Sequence, residues 1–175
     1  MVERTYCGLD GKFDCFRRSA LKRVGGFDAK NFRTAGEDGD IINRLSKIGQ
    51  LVPTKAKIIH LHRDDDKFSA KDIIKKQGQY SEAQGVMLRH WVIKTPRQIF
   101  NAFFREFLLI GLLIPYVRFL ALALILIYSV YYSKIIFARE YRNPRILILP
   151  FLNIFLLFVS AFYSIRGIIF GKQRV

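Results

Sequence analysis

Acidic side chains are scarce in this 175-residue chain: 14 Asp and Glu stand against 29 Lys and Arg, for a formal net charge of +15. Cysteine is scarcer still. Cys7 and Cys15 are the only two and do not form a CxxC pair, so they read as reduced, partly buried thiols. The segment Met1–Asp10 lacks the apolar core of a signal peptide, and neither a strong βαβ series nor a glycine-rich phosphate loop follows it. Gly111 and Gly167 lie in apolar stretches without forming a clean GxxxG pair. What is plentiful is apolar surface: 51% of residues are hydrophobic and 14% aromatic, which excludes intrinsic disorder, a state that requires high charge with few large apolar side chains. These residues concentrate in about the last 70 positions while charge clusters earlier, arguing for a membrane protein with a soluble portion and against a nucleic-acid-binding domain. Residues 1–100 carry 20 basic and 12 acidic side chains and residues 101–175 carry 9 and 2, so both parts suit anionic headgroups or phosphorylated substrates.

From Ile146 to Ile165 no residue is charged, and 20 residues at about 1.5 Å each span roughly the 30 Å of a hydrocarbon core. The pattern predicts a transmembrane helix over 146–166. A second span is expected over 117–137 if Lys134 snorkels, preceded at 93–116 by an interfacial helix and linker containing Gly111 and Pro115. Two crossings put residues 1–100 and the C-terminus on one side. Arg89, Lys94, Arg97, Arg105, Arg166, Lys172 and Arg174 outnumber Arg139, Arg142 and Arg145 of the connecting loop, so that side is expected to be cytoplasmic on a multi-pass protein of the cell membrane.

In the soluble part a helix is expected around Ser19–Val24, ending in Gly25-Gly26. A second starts near Asp38 and buries Ile41, Ile42, Leu45 and Ile48 before Gly49, and a third covers about Ala70–Leu88, after a short β run at Ala56–Leu61. Glu37 and Asp38 stand where the second helix begins. Carboxylates there cap orphan N–H groups; they also suit a general base held near an acceptor hydroxyl, and spacing alone leaves both readings open. His60 and His62 point to one face if their segment is extended, either as polar residues on an edge strand or with one of them near a divalent metal or a diphosphate. Asp64, Asp65 and Asp66 read as a solvated loop, since three consecutive carboxylates cannot converge without repulsion.

Taken together, the segments Gly11–Asp28 (GKFDCFRRSALKRVGGFD), Gly36–Asp40 (GEDGD) and Arg44-Leu45 resemble the acceptor-side half of family 2 glycosyltransferases over residues 6–90. The resemblance implies an α/β fold, a partial GT-A glycosyltransferase domain at 1–92, followed by a membrane domain at 117–175 with two transmembrane helices. It also implies transfer of a sugar from an activated donor, usually a nucleotide diphosphosugar, with inversion, to a lipid-linked or envelope glycan acceptor. Asp38 maps onto the general base, Glu37 onto a residue that orients the acceptor, and His60 onto a histidine that helps hold a divalent cation, Mg or Mn, on the diphosphate. Gln84, Arg89 and Trp91 do not reproduce the QxxRW spacing of processive members, so a polysaccharide synthase is not expected. The family's donor-binding half, with its DxD motif, is not among these residues. The chain therefore resembles a C-terminal portion, inactive alone, with membrane lipids, a nucleotide-sugar donor and a separate donor-binding chain as partners; a non-catalytic remnant or subunit of a split enzyme is the alternative.

Overall fold

A computed structural model describes residues 15–50, 52, 69–140 and 144–174. The α/β expectation is overturned: the described residues are mostly helical and contain no β-strand. That expectation came from the resemblance, whereas the apolar residues of the described segments recur at three- and four-residue spacing and bury helix against helix. The β run at Ala56–Leu61 and the aspartates at 64–66 lie outside the described residues, as does Cys7. Cys15, expected to be partly buried, is exposed.

The first helix, α1, spans Arg18–Arg23 and stops where Gly25 and Gly26 take φ of 81° and 74°, a left-handed pair that side chains with a Cβ resist. Helix α2, Glu37–Leu45, buries Ile41 and Leu45. Helix α3, Ala70–Arg89, opens on a capping box in which the Ser69 hydroxyl accepts from the Asp72 N–H and the Asp72 carboxylate accepts from the Ser69 N–H. Thr95 and Gln98 repeat this device at the start of α4, Pro96–Leu113, which kinks at Phe103. Helix α5 runs Arg118–Glu140. A 3₁₀ turn at Pro144–Ile148 then leads into α6, Leu149–Phe170, closed by Gly171 at φ 65°.

Among the described residues one helical stretch, Ile146–Phe170, is long and apolar enough to cross a membrane, which corrects the expectation of two transmembrane helices. Two opposed heptad faces organise α6. Phe151, Phe155, Phe158, Phe162, Ile165 and Ile169 point outward, each at least half exposed. Asn153, Leu157, Ser160, Ser164 and Gly167 point inward, and the inner seam is small and polar rather than greasy.

Helix α3 lies in that seam so closely that the backbones touch. A Cβ at Gly85 would fall on the Ser164 carbonyl oxygen, and a Cβ at Gly167 on that of Glu82. Because both positions lack a side chain, polar groups can meet across the crossing. The Ser81 and Ser160 hydroxyls are 2.9 Å apart, and buried Glu82 accepts from Arg166 Nε at 2.7 Å and from the Arg174 N–H at 2.9 Å. From α4, Glu106 Oε1 accepts from the Ser160 and Ser164 hydroxyls at 2.7 and 2.8 Å. An apolar cluster of Leu108, Ile125 and Leu157, with Phe104, Leu112 and Ile154 around it, joins α4, α5 and α6.

Candidate active site

The turn that carries Glu37 and Asp38 is shaped by glycine. Gly36 takes φ 89° and serves as the N-cap of α2 with no side-chain cap hydrogen bond, and Glu37, Asp38 and Asp40 fall in the first turn, where carboxylates favour the helix dipole. The Gly36 backbone is wedged between Phe32 and Ala83, where a Cβ would meet atoms of both at 3.0 Å. Glu37 and Asp38 follow as the first two residues of α2, both half-buried. Glu37 Oε2 is buried with no hydrogen-bond partner among the described residues. An unmade buried acceptor costs about 1–3 kcal/mol, which a hydroxyl donor brought beside it would recover.

Asp40, two residues on, has a different task. Its Oδ2 accepts from Arg44 Nε at 2.9 Å and Nη2 at 2.5 Å, and Arg44 Nη1 donates to the carbonyls of Val24 and Gly26 at 2.6 and 2.7 Å. The guanidinium thus pins the left-handed glycine turn after α1 onto α2 and satisfies carbonyls at a helix C-terminus, where positive charge is favoured. The i,i+4 spacing of Asp40 and Arg44 was visible in the sequence; the carbonyl targets were not.

Asp28 anchors the next turn by accepting from Asn31 Nδ2 at 2.7 Å and from the N–H groups of Asn31 and Lys30 at 3.1 Å each. Burial pushes its pKa up, but these hydrogen bonds with Asn31 and Lys30 outweigh that and hold it below the ordinary aspartate value. A carboxyl with a depressed folded pKa contributes stability above the unfolded value of about 3.9 and loses it as pH falls through the folded one. The destabilisation caused by Asp28→Asn, followed by denaturant titration, is therefore expected to be full at pH 7 and to shrink below about pH 4.

The residue that sequence reasoning missed is Gln173, three positions beyond α6 and 1% exposed. Its Oε1 accepts from the N–H groups of Arg33 and Thr34 at 2.6 and 2.9 Å, its Nε2 donates to the Gln79 carbonyl at 3.0 Å, and its own N–H donates to the Asn31 carbonyl at 2.8 Å. One amide thereby ties the loop leading to Gly36-Glu37-Asp38 to both α3 and the end of the membrane-length helix. No local signal marks it, because its partners lie 94 to about 140 residues away in sequence. Gln173→Ala leaves those backbone groups unpaired. The expected cost is about 2–3 kcal/mol, with faster amide hydrogen exchange at Arg33 and Thr34 than at α4, and unchanged exchange there would refute the tie.

His60 lies outside the described residues. Among the described residues no group of three or more His, Cys, Asp or Glu side chains converges as a metal site, and Asp40 is committed to Arg44. The described residues thus do not by themselves fit a divalent cation, and no chemical step below is routed through one. No family model matches this chain, and no curated protein or solved structure does either.

Proposed function

We propose that this chain is the acceptor-side, membrane-anchored portion of an inverting glycosyltransferase, moving a sugar from a nucleotide-diphosphate donor to a lipid-linked or envelope glycan acceptor. The observation that carries the reading is the Gln173 tie, which fixes a half-buried Glu37–Asp38 turn to the end of an apolar helix long enough to span a bilayer. A base that serves a membrane-bound acceptor needs that fixed height. In this reading Asp38 takes the proton of the acceptor hydroxyl as its oxygen bonds to the anomeric carbon, while the bond from that carbon to the donor phosphate breaks and the nucleoside diphosphate departs. Glu37 orients the acceptor, and its buried oxygen without a hydrogen-bond partner among the described residues supports that role. Arg89, Lys172 and Arg174 gather near the C-terminal end of α6, which supports placing residues 15–50 on the cytoplasmic side of the cell membrane. The donor diphosphate and any cation on it fall to residues outside the described set, His60 among them, or to a separate donor-binding chain.

The test is sugar transfer by membranes carrying the complete polypeptide, with and without Asp38→Asn. The alternative, a non-catalytic subunit, is favoured by one feature: the Ser81, Glu82, Glu106, Ser160 and Ser164 seam holds α3, α4 and α6 together by structural hydrogen bonds that require no chemistry. It predicts a co-purifying donor-binding partner and indifference to Asp38→Asn.

A further inference from the structure

A cavity of about 530 Å³ opens beside the glycine turn after α1, and its walls include Gly25, Gly26, Lys30, Asn43, Lys47 and His90. Asp28 and Asp40 also line it, but both are spent internally, on Asn31 and its neighbours and on Arg44. Lys30 and Lys47 remain as exposed ammonium groups with no ion-pair partner among the described residues. The lining therefore sets Lys30, Lys47 and Arg44 against Asp28 and Asp40, an excess of one positive charge, beside an open glycine backbone, where an added Cβ at Gly25 or Gly26 would meet nothing within 4 Å. Such a surface selects an anion with several acceptor oxygens.

Its position says where the anion comes from. The ring of His90, one wall of the cavity, lies with Nε2 2.6 Å from the carbonyl oxygen of Gly171, the residue that closes α6, so the cavity stands at the level where the membrane-length helix ends. Between the lining residues His90 and Val92 stands Trp91, the only tryptophan of the chain. It is 73% exposed and holds φ at 58°, unlike any other non-glycine residue described. A left-handed backbone costs a bulky residue of order 1–3 kcal/mol, and no packing against this indole compensates for it in water. At a bilayer surface the arrangement makes sense: an indole prefers the headgroup zone, and Arg89, Lys172 and Arg174, which lie at the C-terminal end of α6, prefer anionic lipid.

We propose that this cavity binds the phosphate group of an anionic membrane lipid, with Lys30 and Lys47 as the charge partners and Trp91 inserted beside it at the membrane surface. The inference rests on the placement of α6 at a membrane and not on sugar transfer or on Asp38. Because the chain has a single tryptophan, its fluorescence reports on the site directly. The full chain in a neutral maltoside detergent is titrated with dihexanoyl phosphatidic acid, with dihexanoyl phosphatidylcholine, and with inorganic phosphate. The expected result is a saturable blue shift with phosphatidic acid alone. Lys30→Ala/Lys47→Ala should weaken it tenfold or more at an unchanged unfolding temperature, and Lys30→Arg/Lys47→Arg should restore it. Equal affinity for inorganic phosphate would make this a soluble-anion site and overturn the lipid assignment. An equal response to phosphatidylcholine, no saturable response, or parent-like binding by the double alanine variant would each overturn the site itself.

Discussion

Gly85→Leu is expected to pry α3 from α6 and to destabilise the folded chain by about 3 kcal/mol or more, the upper end of what overpacking costs, because the new side chain meets backbone and not a movable side chain. For a chain of this length that corresponds to a fall of roughly 6–12 °C in the midpoint of thermal unfolding in detergent. Gly167→Leu should do the same from the other side, since its Cβ would strike the Glu82 carbonyl. Secondary losses add to the clash. Separating the helices costs the Glu82 carboxylate its bond from Arg166 and the Ser81 hydroxyl its bond with Ser160. Gly49→Ala is the control: a Cβ there meets nothing within 4 Å, so its midpoint should stay close to that of the parent. If Gly85→Leu also unfolds with the parent, the two backbones do not meet in the native protein.

Asp38→Asn is expected to reduce sugar transfer by roughly 10²- to 10⁴-fold, the range for removing a general base, while leaving the unfolding midpoint nearly unchanged. The variant keeps the shape of the side chain and its place at the first turn of α2. In the proposed reaction it takes away the charge with which the carboxylate accepts the proton of the acceptor hydroxyl. Asp40→Asn provides the contrast two residues away. Its carboxylate holds the guanidinium that reaches the Val24 and Gly26 carbonyls, so that variant should lose about 1–3 kcal/mol of stability through the loosened turn. Rate and stability thus separate at neighbouring carboxylates. Transfer by Asp38→Asn at the parent rate would remove this residue as the base and leave the subunit reading in its place.

Local chemistry made much of the helical framework legible. The Gly25-Gly26 pair marked the end of α1, and the spacing of Ile41, Ile42 and Leu45 marked α2. The stretch from Ala70 to Leu88 became α3 within one residue, with Ser69 and Asp72 supplying its cap. The charge-free run from Ile146 marked the membrane-length helix, since neither capping nor hydrocarbon thickness needs information from distant residues. The α/β expectation failed for a different reason. It was carried by the likeness of the Gly11–Asp28 and Gly36–Asp40 segments to a family, and the described residues pack helix on helix without a strand.

The sequence by itself determined that the chain has an apolar helix of bilayer length, a strongly basic character, and two carboxylates at the start of a short helix. The tertiary structure alone decided what the opposite face of α6 meets. Serine, glycine and asparagine at heptad spacing are compatible with many partners, and only the approach of α3 and α4 selects Ser81, Glu82 and Glu106 as theirs. It alone decided that Gln173 holds the loop before Asp38 and that Lys30, Lys47 and His90 line one cavity at the end of the membrane-length helix. Each of these meetings joins residues tens to more than a hundred positions apart. Periodicity reports which face of an element is buried; the partner that covers it is chosen by the packing of whole helices.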